Sequence, residues 1–315
     1  MSPRPSAPPS PLPTQVVTAC PACATAELAS AAFAYRFADL DFPAVRCTGC
    51  GLTFLARQPT AAGLAQVYAA EYFESDYHCG HEDSPYFACE SEQVAAAGVL
   101  LAWIERQIPR GRILEVGCAG GFFLKAAAER GWSPVGVEIA ASAAQFARER
   151  MGLDVRTGTL DDVHLPAGGF DAVYLGDVLE HLPAPLAALR EVNRLLRPGG
   201  VVMIAGPVTL NSLDRRLGLL AYRALGRTKI LHQPPYHLTE FTPRTLAGAV
   251  TRAGSRAPRI RRVWRNPRRR SRFEHALKFL LDGPNWLVTR ASGRLGDRAI
   301  LFAIKRASAE PTSRL

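Results

Sequence analysis

The sequence has no apolar run long enough to cross a bilayer: the longest, Val94 to Ile104, falls far short of the roughly 20 residues that a span requires. Nor does it carry an apolar signal-peptide core near its start. The first fourteen residues are rich in Pro and Ser, so residues 1–16 read as a disordered tail. A soluble, cytoplasmic protein is the expectation. Internal repeats are also lacking, which excludes a solenoid. Lysine is scarce: four of the 38 basic residues are Lys and the rest Arg. Acids are missing altogether from one stretch, 252–272, which holds Arg252, Arg256, Arg259, Arg261, Arg262, Arg265, Arg268, Arg269, Arg270 and Arg272. Those ten arginines equal the whole formal charge of +10. Charge so localised is either a solvated strand edge and loop or a contact for an anionic substrate, a membrane surface or RNA.

What is present points to one main domain with an accessory unit, since 315 residues exceed the usual domain of about 100–200. Four of the seven cysteines form two CxxC pairs, Cys20/Cys23 and Cys47/Cys50, with 23 residues between them. In a reducing compartment this spacing favours a metal over disulfides, and four thiolates are what a closed, structural zinc site requires. Residues 17–57 therefore read as a zinc ribbon. His78, Cys79, His81 and Cys89 offer a second metal site as an alternative, but their irregular spacing favours a solvated loop. Residues 58–108 read as a helical linker or lid, with an aromatic loop (Tyr68, Tyr72, Phe73, Tyr77) and an Ala-rich helix from about Cys89 to Ile108.

From 109 to the end the pattern changes. Short β-branched runs at Ile113–Val116, Val135–Glu138, Asp154–Thr157, Ala172–Leu175 and Val201–Ala205 alternate with helical segments at Phe122–Arg130, Ser142–Met151 and Pro185–Leu196. Such alternation argues for an α/β fold with a parallel sheet covered on both faces. An insertion, 207–240, follows the fifth run. Then come a helix at Pro243–Ala253, the basic segment, an amphipathic stretch at Phe273–Leu281, and late strands near Ile260–Trp264 and Ala299–Lys305.

The sharpest signal is Ile113-Leu114-Glu115-Val116-Gly117-Cys118-Ala119-Gly120-Gly121, a strand entering a Gly-rich turn that opens a helix. Small residues there let backbone approach a ligand. About twenty residues on, Glu138 ends the second strand where a ribose-binding carboxylate belongs. Both features suit a dinucleotide fold as well. The spacing separates the two: GxGxxG is not met, and Glu115 would repel a pyrophosphate.

The turn resembles motif I of class I S-adenosylmethionine-dependent methyltransferases, and later landmarks follow in order: Val135-Gly136-Val137-Glu138, Gly158-Thr159-Leu160-Asp161, Phe170-Asp171-Ala172-Val173, Asp177-Val178-Leu179-Glu180-His181, and Leu196-Arg197-Pro198-Gly199-Gly200. The resemblance implies a Rossmann-like methyltransferase fold with a mostly parallel seven-stranded sheet behind a small N-terminal zinc ribbon. It implies that Gly117, Ala119 and Gly121 pass close to the methionine part of the cofactor, with Glu115 fixing the loop or the amino group. Glu138 would take the ribose hydroxyls, Leu160 and Asp161 would face the adenine, and Gly176 and Asp177 would line the sulfonium side. Ala119 stands where the family usually has Gly.

A ribbon ahead of this pattern is similar to bacterial small-molecule methyltransferases that modify sugars or other secondary metabolites, so O-methylation of a small acceptor is expected. Two histidines are candidate bases for a hydroxyl acceptor: His181, after the fourth strand, and His237, in the insertion within Pro235-Tyr236-His237-Leu238. Gln233-Pro234-Pro235-Tyr236 resembles the Asn-Pro-Pro-Tyr motif of enzymes acting on nucleobase amines, but that motif follows the fourth strand, so here it reads as a loop. An RNA methyltransferase and a non-catalytic cofactor-binding protein are the competing readings; nucleic acid is the less favoured partner.

Overall fold

The computed structural model describes residues 11–67, 90–263, 287, 288, 291 and 295–306. The strands are β1 (Thr14–Val16), β2 (Leu28–Phe37), β3 (Leu40–Cys47), β4 (Thr53–Leu55), β5 (Arg57–Pro59), β6 (Arg112–Val116), β7 (Ser133–Glu138), β8 (Val155–Thr157), β9 (Phe170–Gly176), β10 (Leu196–Pro207), β11 (Lys229–His232), β12 (Thr239–Glu240), β13 (Ser255–Val263) and β14 (Arg298–Lys305). The α-helices are α1 (Ala61–Val67), α2 (Glu90–Glu105), α3 (Phe122–Glu129), α4 (Ala141–Met151), α5 (Pro185–Leu195), α6 (Leu213–Ala224) and α7 (Pro243–Arg252).

Seven strands form the main sheet in the order β13-β14-β10-β9-β6-β7-β8. Its pairs are parallel except where β14 runs antiparallel to β10 and β13. This is the expected Rossmann-like methyltransferase fold. Its central strands are buried on both faces, as β-branched runs between helices must be: Ile113, Leu114, Val173, Leu175 and Val202 all lie in the core. Helix α5 ends at Leu195, and β10 starts at Leu196 and passes Pro198-Gly199-Gly200 in a register shift before Val201. Helix α7 starts cleanly because Thr242 and Thr245 form a reciprocal capping box and Pro243 occupies the first turn. Helix α2 packs on α3 through a cluster containing Leu101, Ile104, Ile113 and Phe123.

The cysteine-bearing unit departs from the sequence expectation in two ways. Thr14 to Val16, expected inside the tail, pair antiparallel with β5, and Leu12 is buried. The backbone hydrogen bonds of an extended Pro-flanked segment can be met by an edge pairing, which composition does not reveal. Second, the ribbon is not a separate knob. Its sheet has the order β11-β2-β3-β4-β12, so two strands of the insertion 207–240 complete it. A core of Phe33, Tyr35, Phe42, Leu55 and Leu238 spans the join; full burial of each large apolar side chain contributes about 1.5–3 kcal/mol.

The first part of the basic segment is the edge strand β13, where the Arg261 guanidinium sits 4.6 Å from the Trp103 ring centroid on α2. Arg265, Arg268, Arg269, Arg270 and Arg272, the stretch Phe273–Leu281, the aromatic loop from Tyr68 to Tyr77, and His78, Cys79, His81 and Cys89 lie outside the described residues. No helix among the described residues is long and apolar enough to cross a membrane.

Candidate active site

The Gly-rich turn leaves β6 and enters α3 over the end of β7. Gly117 takes φ +68°, and a side chain there would run into Val178. Ala119, the departure from the usual glycine, takes the left-handed φ of +45° all the same. What holds it is Glu138: its carboxylate accepts the Ala119 N–H and the Ala140 N–H, both at 2.8 Å. Gly121 caps α3 at φ +82°. The turn borders a cavity of about 140 Å³ lined by Glu115, Gly117, Cys118, Ala119, Gly176 and Asp177, with Phe123 and Tyr174 stacked at 4.3 Å between their centroids. Helix α2 closes the far side through Gln93, Ala97 and Leu100.

Two buried carboxylates set the electrostatics. Glu115 Oε2 has no hydrogen-bond partner among the described residues. Burial, then the charge of Glu138, push the Glu115 carboxyl well above the ordinary carboxylate range. Burial also raises Glu138, against the opposing pull of its backbone N–H donors. An orphaned, buried carboxylate beside a glycine cradle fits a cationic amino group, as S-adenosylmethionine carries. Leu160 and Asp161 are not brought into this cavity: Leu160 is buried in the main core, and Asp161 is exposed on a turn fixed by the Asp162 carboxylate.

Asp177 takes φ +53° at the end of β9 and joins this cavity to a second cluster. Its carboxylate pairs with Arg298 at 2.7 Å, made possible by the antiparallel register that sets Arg298 opposite Pro207. Behind it, the 3₁₀ turn Leu179–His181 is clamped to the insertion: Leu238 N–H donates to the Glu180 carbonyl at 2.8 Å, and His181 Nδ1 donates to the Tyr236 carbonyl at 2.8 Å. The His181 and His237 rings meet edge to face with centroids 5.0 Å apart. His237 Nδ1 lies 3.5 Å from Glu240 Oε1, which also accepts from Tyr35 at 2.9 Å, while Thr209 donates to Oε2 at 2.8 Å.

The two imidazoles are driven apart in basicity. Burial and the neighbouring His237 depress His181 to about 4, so it stays neutral. Burial also opposes protonation of His237, but the Glu240 hydrogen bond and the charges of Glu240, Glu180 and Asp177 outweigh it and raise its pKa above 6.5. Glu180 is fully enclosed; burial and the charge of Asp177 push it up to about 8. Its Oε1 has no hydrogen-bond partner among the described residues and lies 3.8 Å from His181 Nε2. Ligand atoms of Glu180, His181 and His237 fall within 4.8 Å of one another, a spacing that a divalent cation could bridge. Sequence reasoning had marked the histidines but not Glu240, Arg298, Tyr35 or Thr209. Glu240 was readable as the acid three residues after His237; the others arrive by tertiary pairing alone.

At the other end, Cys20 Sγ lies 3.5 Å from Cys50 Sγ and Cys23 Sγ 3.5 Å from Cys47 Sγ, and all four sulfurs fall within 4.8 Å of one another. A tetrahedron of sulfurs about 2.3 Å from zinc has edges of about 3.8 Å, so the donor set fits that ion.

A glycine-rich turn beside two buried acids, Glu115 on β6 and Glu138 at the end of β7, sits at the strand ends of a methyltransferase-type α/β domain. The model of the family described as "Methyltransferase domain" matches residues 90–256, and the chain belongs to that family. Among curated relatives, a ubiquinone biosynthesis O-methyltransferase of Xanthomonas campestris pv. campestris (strain B100) is 31% identical over 140 residues, 42% of this chain and 57% of the relative. Its counterpart in Xanthomonas axonopodis pv. citri (strain 306) is 30% identical over 171 residues, 51% of this chain and 70% of the relative. The chain thus spans little more than half the length of the first. Among solved structures, a SAM-dependent methyltransferase from Archaeoglobus fulgidus aligns with a TM-score of 0.48 at 18% identity, covering 70% of this chain and 99% of that one.

Proposed function

We propose that this protein transfers a methyl group from S-adenosylmethionine to an oxygen of a small hydroxylated acceptor, of the sugar or secondary-metabolite type. The observation that carries the proposal is the His237–Glu240 pair lying behind Asp177, which lines the cofactor cavity. When bound, the cofactor would supply a methyl group on a cationic sulfur, and transfer of that methyl to the acceptor oxygen is an in-line displacement helped chiefly by positioning. Glu115 receives the amino group, the turn Gly117 to Gly121 accommodates the methionine backbone, and Glu138, pre-oriented by two N–H donors, receives the ribose hydroxyls. Leu160 and Asp161 stay assigned to the adenine side, Gly176 and Asp177 to the sulfonium side.

On the acceptor side, His237 turns Nδ1 toward Glu240, leaving Nε2 to take the acceptor's hydroxyl proton. Glu240, held ionised by His237, Thr209 and Tyr35 despite its burial, stabilises the imidazolium. His181 stays neutral and fixes the loop that carries His237. Cys20, Cys23, Cys47 and Cys50 would hold a structural zinc, which would support the sheet that the insertion completes. The relatives' name, O-methyltransferase, supports an oxygen acceptor.

A second reading of the same cluster rests on one observation. His181 Nδ1 carries the proton, so its Nε2 presents a lone pair toward the partnerless Glu180 Oε1. Two acceptors face each other, which requires either a protonated Glu180 or a cation between them. A divalent ion there would orient the acceptor oxygen. Turnover that is abolished by a chelator and restored by magnesium selects this reading; turnover indifferent to both selects the base alone. The oxygen acceptor itself is tested with labelled cofactor and a panel of hydroxylated small molecules beside the matching amines. Label on the hydroxylated members is expected, and label on the amines alone would overturn the proposal.

A further inference from the structure

A second cleft, about 480 Å³ in volume, opens between the ribbon sheet, α6 and the start of α7. It shares no lining residue with the cofactor cavity. Four arginines line it from three elements: Arg46 on β3, Arg216 and Arg223 on α6, and Arg244 in the first turn of α7. No acidic side chain lines it among the described residues. Arg46 is exposed beside the ribbon knuckle, and Arg216 is held by donating to Asn211 Oδ1 at 2.6 Å. Leu219 and Leu220 add an apolar wall.

Four solvent-exposed like charges lining one cleft, with no acidic side chain among its described lining residues, repel one another, and an anion in their midst relieves that repulsion. One carboxylate would balance a single guanidinium. A diphosphate carries more charge on a short frame and accepts paired N–H donors from several arginines at once. The volume lies within the roughly 300–1,000 Å³ typical of organic-ligand pockets, which leaves room for an organic group against Leu219 and Leu220. We propose that this cleft binds an organic diphosphate, at a site separate from the methyl-transfer centre and independent of which acceptor that centre uses.

The probes are inorganic pyrophosphate, uridine diphosphate and inorganic phosphate, titrated calorimetrically into the zinc-loaded full chain at an ionic strength of about 0.15 M. Both diphosphates should bind at one site per chain, at least about tenfold tighter than phosphate, because they engage more of the guanidiniums. The double variant Arg46→Ala/Arg244→Ala should weaken pyrophosphate about 100-fold, the loss of two charge-assisted contacts, with zinc content and S-adenosylmethionine affinity unchanged. Should that variant lose zinc or fail to fold, Arg216→Ala/Arg223→Ala, both on exposed positions of α6, decides by the same readout. Pyrophosphate binding no tighter than phosphate, or undiminished in the folded double variant, overturns the proposal. So does binding to phosphatidic acid vesicles without binding to soluble diphosphates, which would make the cleft a membrane contact.

Discussion

Replacing Glu115 with glutamine should stabilise the empty protein and weaken its hold on the cofactor. In the empty protein Glu115 is buried, one oxygen lacks a partner, and Glu138 adds a repulsive charge. A carboxyl whose folded pKa is raised holds its proton more tightly folded than unfolded. Its ionisation therefore subtracts stability as pH climbs from the unfolded value, near 4.5, through the raised folded value, and below 4.5 the term vanishes. Glutamine has no such ionisation. Glu115→Gln should therefore be more stable than wild type at pH 8 and little different at pH 4.5. With the cofactor the sign reverses. A hydrogen bond to a charged group contributes about 1.5–3 kcal/mol, so loss of the ammonium partner should weaken binding by roughly 10–150-fold. Ionisation of Glu115 on binding should also release a proton, visible as a dependence of the calorimetric heat on the buffer's ionisation enthalpy. Thermal unfolding from pH 4.5 to 8, with and without cofactor, reads both signs. A variant no more stable than wild type at pH 8, or one with unchanged cofactor affinity, refutes the reasoning.

Glu138→Ala should weaken cofactor binding by roughly 2–3 kcal/mol, since it removes a charged acceptor from the ribose, and should also loosen the turn at Ala119; calorimetry and hydrogen exchange at Ala119 check both effects. His237→Ala should cut single-turnover rates about 10²–10⁴-fold with cofactor affinity nearly intact. Because the folded pKa of His237 is raised, the wild-type rate should climb through a pKa above 6.5, and Glu240→Gln should move that limb toward acid; a pH profile unmoved by the substitution would place the base elsewhere. Protein purified without added zinc should carry about one zinc per chain, and Cys47→Ser should lose it and expose amides of β11 and β12 to exchange, because those strands complete the ribbon sheet.

The main sheet was legible because its strands are buried on both faces: the runs at Ile113–Val116 and Ala172–Leu175 have few other stable uses. The Gly-rich turn was equally legible, since its small residues from Gly117 to Gly121 mark the tight backbone between β6 and α3, beside the buried acids Glu115 and Glu138. Strands β11 and β12 were not, being four and two residues long, too short for a period to register. Thr14 to Val16 was hidden by its prolines, which signal disorder as readily as an edge strand. Arg298 could not be anticipated either: it stands 121 residues from Asp177, and only the antiparallel return of β14 brings the two together.

The reaction proposed for this protein is methyl transfer to a small hydroxylated molecule. Its most direct test is to supply cofactor carrying a labelled methyl group to wild-type protein and to Glu138→Ala, each with a host extract afterwards separated into RNA, lipid, sugar and small-metabolite pools. Wild type should place label in the sugar or small-metabolite pool on an oxygen, with the variant's transfer reduced in step with its cofactor affinity. Label confined to RNA, or cofactor bound tightly with no label in any pool, would contradict the account.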